Sequence, residues 1–406
     1  SEMCIRDRVL TALYTIFGGM KSVLYTSVLQ TPILLLGSLI ILVLGFKELG
    51  GWDEMMRVCG AVTVNDYGDT MTNLIRSNDD ANFPWLGALI GSAIIGFWYW
   101  CTDQFIVQRV LSGKNEMEAR RGTIFGAYLK LLPVFLFLIP GMIAFALHQK
   151  YIGAGGEGFL PMLENGTANA DAAFPTLVAK LLPAGVKGLV VCGILAALMS
   201  SLASLFNSSA MLFTIDFYKR FRPQTSEKKL VGIGQVATVV IVILGILWIP
   251  IMRSVGDVLY TYLQDVQSVL APGIAAAFLL GICWKRTSAQ GGMWGLISGM
   301  VIGLTRLGAK VYYSNAGEVA DSTFKYLFYD MNWLFFCGWM FLFCIIVVIV
   351  VSLATEAPTA EKIQGLVFGT ATKEQKASTR ASWNHWDIIH TVIILAITGA
   401  FYWYFW

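Results

Sequence analysis

Apolar stretches of about 20 residues recur along almost the whole of this sequence, and each is long enough to cross a bilayer as a helix. Charged residues make up only 14% of the 406 residues, against about 25% in soluble domains. The sequence therefore predicts an all-α polytopic membrane protein without a sizeable soluble domain. A shorter apolar stretch at 10–18 is only a stub, and full spans are predicted at 23–44, 84–106, 126–146, 186–217, 231–252, 258–283, 291–307, 334–353 and 388–405.

The loops between these spans alternate between basic and non-basic composition. Lysines and arginines cluster at 109–121, 219–229, 285–286 and 362–380. Because cytoplasmic loops carry the excess of lysine and arginine, these loops and the N-terminal leader are predicted to be cytoplasmic. The C-terminus is then extracytoplasmic, in a plasma membrane or a bacterial inner membrane. The net charge of +3 gives no indication of a nucleic-acid partner, because the basic residues lie in loops.

Catalytic and metal-binding patterns are not found in the sequence. The seven cysteines fall mostly in apolar runs without CxxC spacing, and the three histidines lie at loops or helix ends. No nucleophile stands with a base in a recognisable pattern. We therefore expect no enzymatic activity and no cofactor, and nothing in the sequence indicates an obligate protein partner.

The fourth predicted span carries a row of small polar residues. At 100° per residue, one face of a helix contains Ala197, Ser200, Ser201, Ser204 and Ser208. A hydroxyl without a partner is costly in hydrocarbon, so this face must meet another helix or a wet cavity. Small residues favour close helix packing. Hydroxyl oxygens equally suit a small hard cation such as Na⁺, and from this stretch alone both interpretations stay open.

Polar side chains in two other spans are candidates for a binding site, because such groups are costly at membrane depth. Tyr99 lies among tryptophans before Asp103. This arrangement suits a sugar site, and equally an aromatic belt at a helix end with Asp103 paired to Arg109. Lys130, near the start of its span, either snorkels to the interface or donates hydrogen bonds into a cavity.

Two further patterns distinguish cavity lining from packing. A polar stripe precedes the Pro272–Gly273 kink and favours a cavity lining; it consists of Tyr260, Gln264, Gln267 and Ser268. In the next span, every fourth residue is a glycine, which predicts a flat ridge for helix packing, at Gly291, Gly295, Gly299 and Gly303.

Four sequence motifs occur in a specific order along the chain. They are Trp-Tyr-Trp-Cys-Thr-Asp-Gln at 98–104, Gly-Ala-Tyr-Leu-Lys-Leu-Leu-Pro at 126–133, the serine-rich run at 197–209 and Pro-Gly-Ile-Ala-Ala-Ala-Phe at 272–278. With them the chain resembles the sodium/glucose cotransporters of the sodium:solute symporter family over nearly its whole length, and the sugar and inositol branch in particular. The resemblance implies a LeuT-type core of two inverted five-helix repeats, with Na⁺ and substrate near the midplane.

The resemblance also implies roles for particular residues. One half of the sodium site is matched by Ala197, Ser200 and Ser201, and its other ligands are carbonyls of core helix 1. The sugar-binding positions are matched by Tyr99, Lys130, Ser204 and Gln264. Tyr260 stands where the family has an aromatic residue of the outer gate.

Two positions depart from the family pattern. Gly96 replaces a side chain that contacts sugar in some members, which leaves the recognised hydroxyl pattern open. Ser27 replaces an aspartate on the cation exit path, and a serine cannot attract Na⁺ by charge.

The resemblance also divides the chain. Residues 1–8 are a leader whose native origin is open, 9–46 contain the end of core helix 4 and core helix 5, 84–283 contain core helices 6–10, and 291–406 contain three peripheral helices. Core helices 1–3 are then expected to be missing, so the core lacks most of its first repeat. On this map the sodium site is half a site, and we expect no transport by residues 1–406 alone.

The expected function is Na⁺-driven symport of a glucose- or galactose-like monosaccharide across a lipid bilayer by alternating access, with Na⁺ as the coupling ion. Two alternatives stay open. One is Na⁺-coupled transport of another polyol such as myo-inositol. The other is a sugar sensor or ion leak on the same fold, which the departures at Gly96 and Ser27 suggest.

Overall fold

The computed structural model describes residue 28 and residues 31–163, 166–253, 259–315 and 320–405. Throughout this part of the chain the regular elements are helices, and strands do not extend beyond isolated bridges. Eight helices are long and apolar enough to cross a membrane, and they coincide with eight of the predicted spans: Thr31–Leu49, Trp85–Thr102, Glu116–Gly153, Ala184–Phe221, Glu227–Leu247, Leu263–Cys283, Trp333–Ala354 and His385–Tyr404. The stub at 10–18 lies outside the described residues.

The helices are numbered in chain order. They are α1 (Thr31–Leu49), α2 (Trp52–Gly60), α3 (Trp85–Phe97), α4 (Gln104–Leu111), α5 (Glu116–Pro133), α6 (Ile139–Gly153), α7 (Ala173–Leu181), α8 (Ala184–Met211), α9 (Lys219–Phe221), α10 (Glu227–Arg253), α11 (Leu259–Cys283), α12 (Ala289–Asn315), α13 (Thr323–Lys325), α14 (Trp333–Ala354), α15 (Ala360–Ile363), α16 (Lys373–Ala381) and α17 (His385–Tyr404). A short 3₁₀ turn, Ala170–Ala172, precedes α7.

One predicted span differs from the other eight. The stretch at 291–307 is helical, as expected, and forms most of α12. It is not among the eight helices that are apolar enough to cross a membrane, because several glycines and Arg306 dilute its apolar residues. The glycine face of α12 packs against α11 and α14, while its other face exposes large apolar side chains that include Trp294, Val301 and Leu304.

Four π-helical turns interrupt the described helices, at Trp98–Thr102, Val134–Leu138, Leu212–Tyr218 and Tyr326–Asp330. Proline explains one of them. Pro133 has no N–H to donate, its ring crowds the carbonyl four residues earlier, and the wide turn follows it directly. π turns are rare and often lie at functional sites. One of the four contains Tyr99, and another begins four residues after Lys130.

The described residues fall into two compact units. Those of the first unit come from Ser1–Val62, Thr70–Thr72 and Leu129–Gly256. Its core joins α1, α2, α6, α7 and α8, and its side chains without exposed surface include Ile41, Ile143, Leu147 and Leu177. Burial of such side chains stabilises each by about 1.5–3 kcal/mol, so this cluster holds the helices of the unit together.

Close approach of two backbones holds α8 against α1 within the first unit. A Cβ atom added at Gly37 would lie 2.8 Å from Val190 Cγ2, and one added at Gly193 would lie 3.3 Å from the Leu34 backbone. Side chains at these two positions would push the helices apart. The N-terminal half of α8 is thereby fixed, and the serine row continues along the same helix.

The second unit comprises Thr63–Asp69, Asn73–Tyr128 and Asp257–Trp406, as far as these are described. In it α3, α11, α12 and α14 pack around fully buried residues that include Ala276, Phe336, Met340 and Cys344. These units are not the divisions predicted from the sequence, which stay a prediction.

The glycine ridge on α12 faces two helices of the second unit. A Cβ added at Gly295 would lie 2.3 Å from Val348 Cγ2 on α14, and one at Gly303 would lie 2.6 Å from Val269 Cγ1 on α11. The ridge therefore packs against neighbouring helices, and the prediction is confirmed.

Candidate functional site

The serine row on α8 is largely buried. Ser200, Ser204 and Ser208 have 8%, 0% and 3% of their surface exposed. Ser201 is exposed and Ala197 is half-buried. The two serines predicted to bind Na⁺ therefore differ: one lies in the packed interior, and the other lies at the accessible edge of the same helix.

Hydroxyls of this row bond to the backbone of their own helix. Ser204 Oγ donates to the Ser200 carbonyl at 3.1 Å, and Ser208 Oγ donates to the Leu205 carbonyl at 3.0 Å. A hydroxyl that donates its proton in this way still has lone pairs to offer. The row can therefore present oxygen acceptors, as a hard cation requires. Ser27, expected on the cation exit path, lies outside the described residues.

The predicted sugar-binding residues of the first unit lie on two helices. Lys130 is exposed in the last turn of α5, three residues before Pro133, and Ser204 is fully buried on α8. Lys130 is thus placed to reach water or a polar ligand, as both interpretations of it require.

Tyr99 belongs to the second unit and lies within a π-helical turn. Its ring meets that of Trp100 edge-on, with centroids 5.2 Å apart. The Thr102 hydroxyl donates to the Trp98 carbonyl at 2.7 Å and closes the turn. Tyr99 is half-buried, so one side of an aromatic cluster is open to a ligand.

The alternative interpretation of the residues after Tyr99 paired Asp103 with Arg109. In the structure, Asp103 caps α4, since its Oδ1 accepts a hydrogen bond from the Phe105 N–H at 3.0 Å. The Arg109 guanidinium lies over the Phe105 ring, 5.3 Å from its centroid. The carboxylate therefore marks a helix start, where an anion is stabilised.

The polar stripe on α11 divides into an open part and a packed part. Gln264 Nε2 donates to the Tyr260 hydroxyl at 3.1 Å, and Tyr260 is 58% exposed. Ser268 is fully buried, and its hydroxyl donates to the Asp265 carbonyl at 2.6 Å. The structure thus joins the predicted gate residue to one predicted sugar-binding residue, whereas Ser268 packs against protein.

A buried ionic cluster on α11 and α12 was missed by the sequence reasoning. Asp265 Oδ1 lies 3.4 Å from Arg306 Nη2, and Asp265 Oδ2 lies 2.5 Å from Lys310 Nζ. Arg306 is completely buried and Asp265 is 7% exposed. Asp265 and Arg306 lie inside predicted spans and Lys310 lies just beyond one, so ionisable residues at membrane depth were the available signal.

Comparison with known proteins places the chain in a family. The sodium:solute symporter family matches residues 5–299. The chain is 36% identical over 423 residues to the sodium/mannose cotransporter of Bos taurus, covering 98% of the chain and 70% of that relative. It is 36% identical over 372 residues to sodium/myo-inositol cotransporter 2 of Homo sapiens (89% and 55% covered) and 38% identical over 374 residues to sodium/glucose cotransporter 1 of Ovis aries (86% and 55%). The chain thus spans only about half the length of the last two.

A solved structure supports the fold. A Na⁺-coupled sialic acid symporter in a substrate-bound outward-open state matches with a TM-score of 0.66 at 21% sequence identity, over 87% of this chain and 66% of that one. The expected all-α, LeuT-like membrane fold is confirmed. The same comparisons confirm the family resemblance, and the roles of single residues stay predictions.

Proposed function

Because the chain belongs to the sodium:solute symporter family, we propose that it serves Na⁺-coupled symport of a monosaccharide by alternating access. The observation that carries the proposal is the row of hydroxyls along α8, which offers oxygen ligands at membrane depth without any formal charge. Relatives named for sodium/mannose and sodium/glucose cotransport support a sugar as the solute.

In this proposal Na⁺ binds at Ala197, Ser200 and Ser201. The Ala197 carbonyl and the two hydroxyls supply oxygen atoms, and oxygen is the ligand type that hard cations prefer. Ser201 is exposed and gives the ion access, while the buried Ser200 gives a dry side to the site. Ser27 would lie on the exit path.

The sugar is proposed to contact Tyr99, Lys130, Ser204 and Gln264, with Tyr260 as the outer gate. An aromatic ring covers the apolar C–H face of a sugar, and the amide and ammonium groups bond its hydroxyls. Support comes from the Tyr260–Gln264 hydrogen bond, since a gate that is joined to a ligand-binding amide moves together with it.

Coupling follows from differential affinity. Na⁺ shifts the population toward the outward-open state only if it binds that state more tightly, and sugar must likewise favour closure of the outer gate. The proposed orientation puts the basic loops in the cytoplasm and the C-terminus outside.

The proposal is tested by reconstituting the full-length protein in proteoliposomes and measuring uptake of labelled D-glucose and D-mannose. Uptake is expected with an inward Na⁺ gradient and not with choline. Ser201→Ala should raise the Na⁺ concentration for half-maximal uptake about tenfold, the equivalent of about 1.4 kcal/mol. Ser209→Ala, on the same helix but outside the proposed site, is the matched control. Equal uptake in Na⁺ and choline contradicts the proposal.

Another polyol is the second candidate solute, because a sodium/myo-inositol cotransporter is as similar to the chain as the mannose relative, at 36% identity. A panel of unlabelled glucose, galactose, mannose and myo-inositol, each competing for uptake, ranks these solutes directly. Sugar-evoked current without accumulation of label would instead identify a sensor or an ion leak.

A further inference from the structure

We propose that Asp265, held by Arg306 and Lys310, is a positioning residue that sets the rotation of α11 and so aims Gln264 at the transported sugar. This inference rests on the proposed function. The three ionic residues contribute no ligand atom themselves. Their role is to hold α11 in one orientation.

Two cationic side chains of one helix, α12, contact the carboxylate of Asp265. Arg306 and Lys310 are separated by four residues and therefore share a face of α12. Each takes a different oxygen of Asp265, at 3.4 Å and 2.5 Å respectively. Two contacts to two oxygens restrict the direction of a side chain as well as its distance.

Arg306 is itself held by further contacts, so its contact with Asp265 is rigid. Its Nη2 donates to the Met331 carbonyl at 2.8 Å, and its Nη1 donates to the Leu327 carbonyl at 3.5 Å. The guanidinium lies over the Phe336 ring on α14, 4.0 Å from its centroid. Asp265 is thus tied through one arginine to the turn at 326–331 and to α14.

The glycine ridge explains why such a tie is needed. α12 meets α11 at Gly299 and Gly303, where a flat surface replaces interlocking side chains: a Cβ at Gly299 would lie 3.0 Å from the Gly273 Cα. Flat faces set the distance between two helices but leave their rotation weakly specified. Buried ionic contacts with a fixed direction are suited to specifying the rotation of one helix against another.

Rotation of α11 matters because Gln264 directly precedes Asp265, about 100° away around the helix. With Asp265 held on the packed face, Gln264 and Tyr260, which lie four residues apart on α11 and share a 3.1 Å hydrogen bond, are turned together toward the open side of the helix. Without the contacts of Arg306 and Lys310 to Asp265, α11 could rotate and move the Gln264 amide away from the sugar. The α8 serines would be unaffected.

The test compares variants matched for net charge. The cluster carries two cations and one anion, and the double variant Asp265→Asn/Lys310→Met keeps the same net charge of +1 because it removes one of each. In Na⁺-driven uptake by proteoliposomes, its KM for labelled D-glucose or D-mannose should rise about three- to tenfold, the range for one lost hydrogen bond. Vmax and the half-saturating Na⁺ concentration should stay within about twofold.

A purely structural role predicts a different result, namely fewer active carriers with an unchanged KM. An unchanged KM in the double variant therefore overturns the proposal. If the double variant does not fold, Lys310→Met alone decides the matter, since it leaves the Asp265–Arg306 pair balanced and should still raise KM about threefold.

Lys325→Met is the control, because it breaks the exposed Lys325–Asp321 pair of the same unit and should leave KM unchanged. Sugar binding to the purified protein is measured in parallel. A full-length, unmodified protein that neither binds nor transports sugar overturns the proposed function, and this inference with it. An active protein whose KM is unchanged in the double variant, or in Lys310→Met where the double variant does not fold, overturns the inference alone.

Discussion

The polar residues of α8 and those of α11 satisfy their bonding needs in different ways. On α8 they are hydroxyls, and they donate to carbonyls three or four residues earlier on the same helix. On α11 the buried hydroxyl of Ser268 behaves in the same way, but the helix also buries a carboxylate, Asp265, whose partners lie 41 and 45 residues further along the chain. A neutral hydroxyl can be buried wherever its helix goes. A buried charge requires a particular neighbour, so α11 is specified by its partners to a degree that α8 is not.

The largest effect is expected from a variant that removes the buried carboxylate of α11. Asp265→Asn alone leaves two buried or half-buried cations without a carboxylate and should destabilise the protein by about 3–5 kcal/mol. The unfolding midpoint of the purified protein in detergent reports this change. Ser268→Ala, one turn away, removes only a hydroxyl that bonds its own helix and should change stability by less than about 1 kcal/mol. Equal shifts in the two variants would show that the charges are not specially held.

The next largest effect tests the close packing of the α12 glycine ridge within the second unit. Gly303→Ala would place a methyl group 2.6 Å from Val269 Cγ1 and 2.8 Å from the Val269 carbonyl oxygen, and should destabilise by about 1–3 kcal/mol. Gly308→Ala, on the same helix with nothing within 4 Å, should stabilise by about 0.5–1 kcal/mol, because alanine favours helix. Opposite shifts of the unfolding midpoint are expected; shifts of the same sign would contradict the close packing of the ridge.

A smaller effect is expected from removing a buried hydroxyl on α8. Ser204→Ala removes a fully buried hydroxyl that bonds the Ser200 carbonyl, and the expected loss is about 0.5–1.5 kcal/mol. If the same variant also weakens sugar uptake without changing Na⁺ dependence, the residue belongs to the sugar site. A loss comparable to that of Asp265→Asn would remove the distinction between the two helices.

The smallest expected effect concerns charged side chains outside the spans, where water also solvates them. In the loop before α3, the Asn65 side chain and the Ser77 N–H hold the pKa of Asp69 below its ordinary value. Burial raises the pKa of Asp80, but the N–H groups of Phe83 and Asn82 outweigh it, and this pKa is also lowered. Both carboxyls therefore stabilise the loop fully above their unfolded pKa and lose that contribution as the pH falls through their folded values.

Amide hydrogen exchange in the segment 65–83 measures this loss. The amides of Ser77 and Phe83 should exchange faster as the pH is lowered below about 4, after correction for the intrinsic rate. Asp69→Asn should remove most of the pH dependence at Ser77. Protection that is unchanged down to about pH 2 would contradict the assignment.

Much of the fold was predictable, because span length and glycine spacing are local properties of the sequence. Eight spans and the α12 ridge were found in this way. Local spacing also brought Tyr260 and Gln264 together, since residues four apart share a helix face. The cap at Asp103 was not predicted, because a capping carboxylate and an ion-paired one look alike in sequence.

The ionic cluster was harder to predict for a physical reason. Asp265 and Arg306 lie on different helices, and only tertiary packing brings them together. Each residue alone could be snorkelling or paired elsewhere. The serine row raises the opposite difficulty: its alignment was plain, but the choice between packing and cation binding depends on what faces it.

The π-helical turns have a consequence for comparing relatives. A π turn holds one residue more than the α turn it replaces, so it is a place where a single-residue insertion has been absorbed without changing the ends of the helix. Deleting one residue from Val134–Leu138 would restore plain α geometry and leave Lys130 in its present orientation relative to the residues after Ile139. A one-residue gap that a sequence alignment places here therefore marks the presence or absence of the wide turn, and Lys130 keeps its side of the helix in either case.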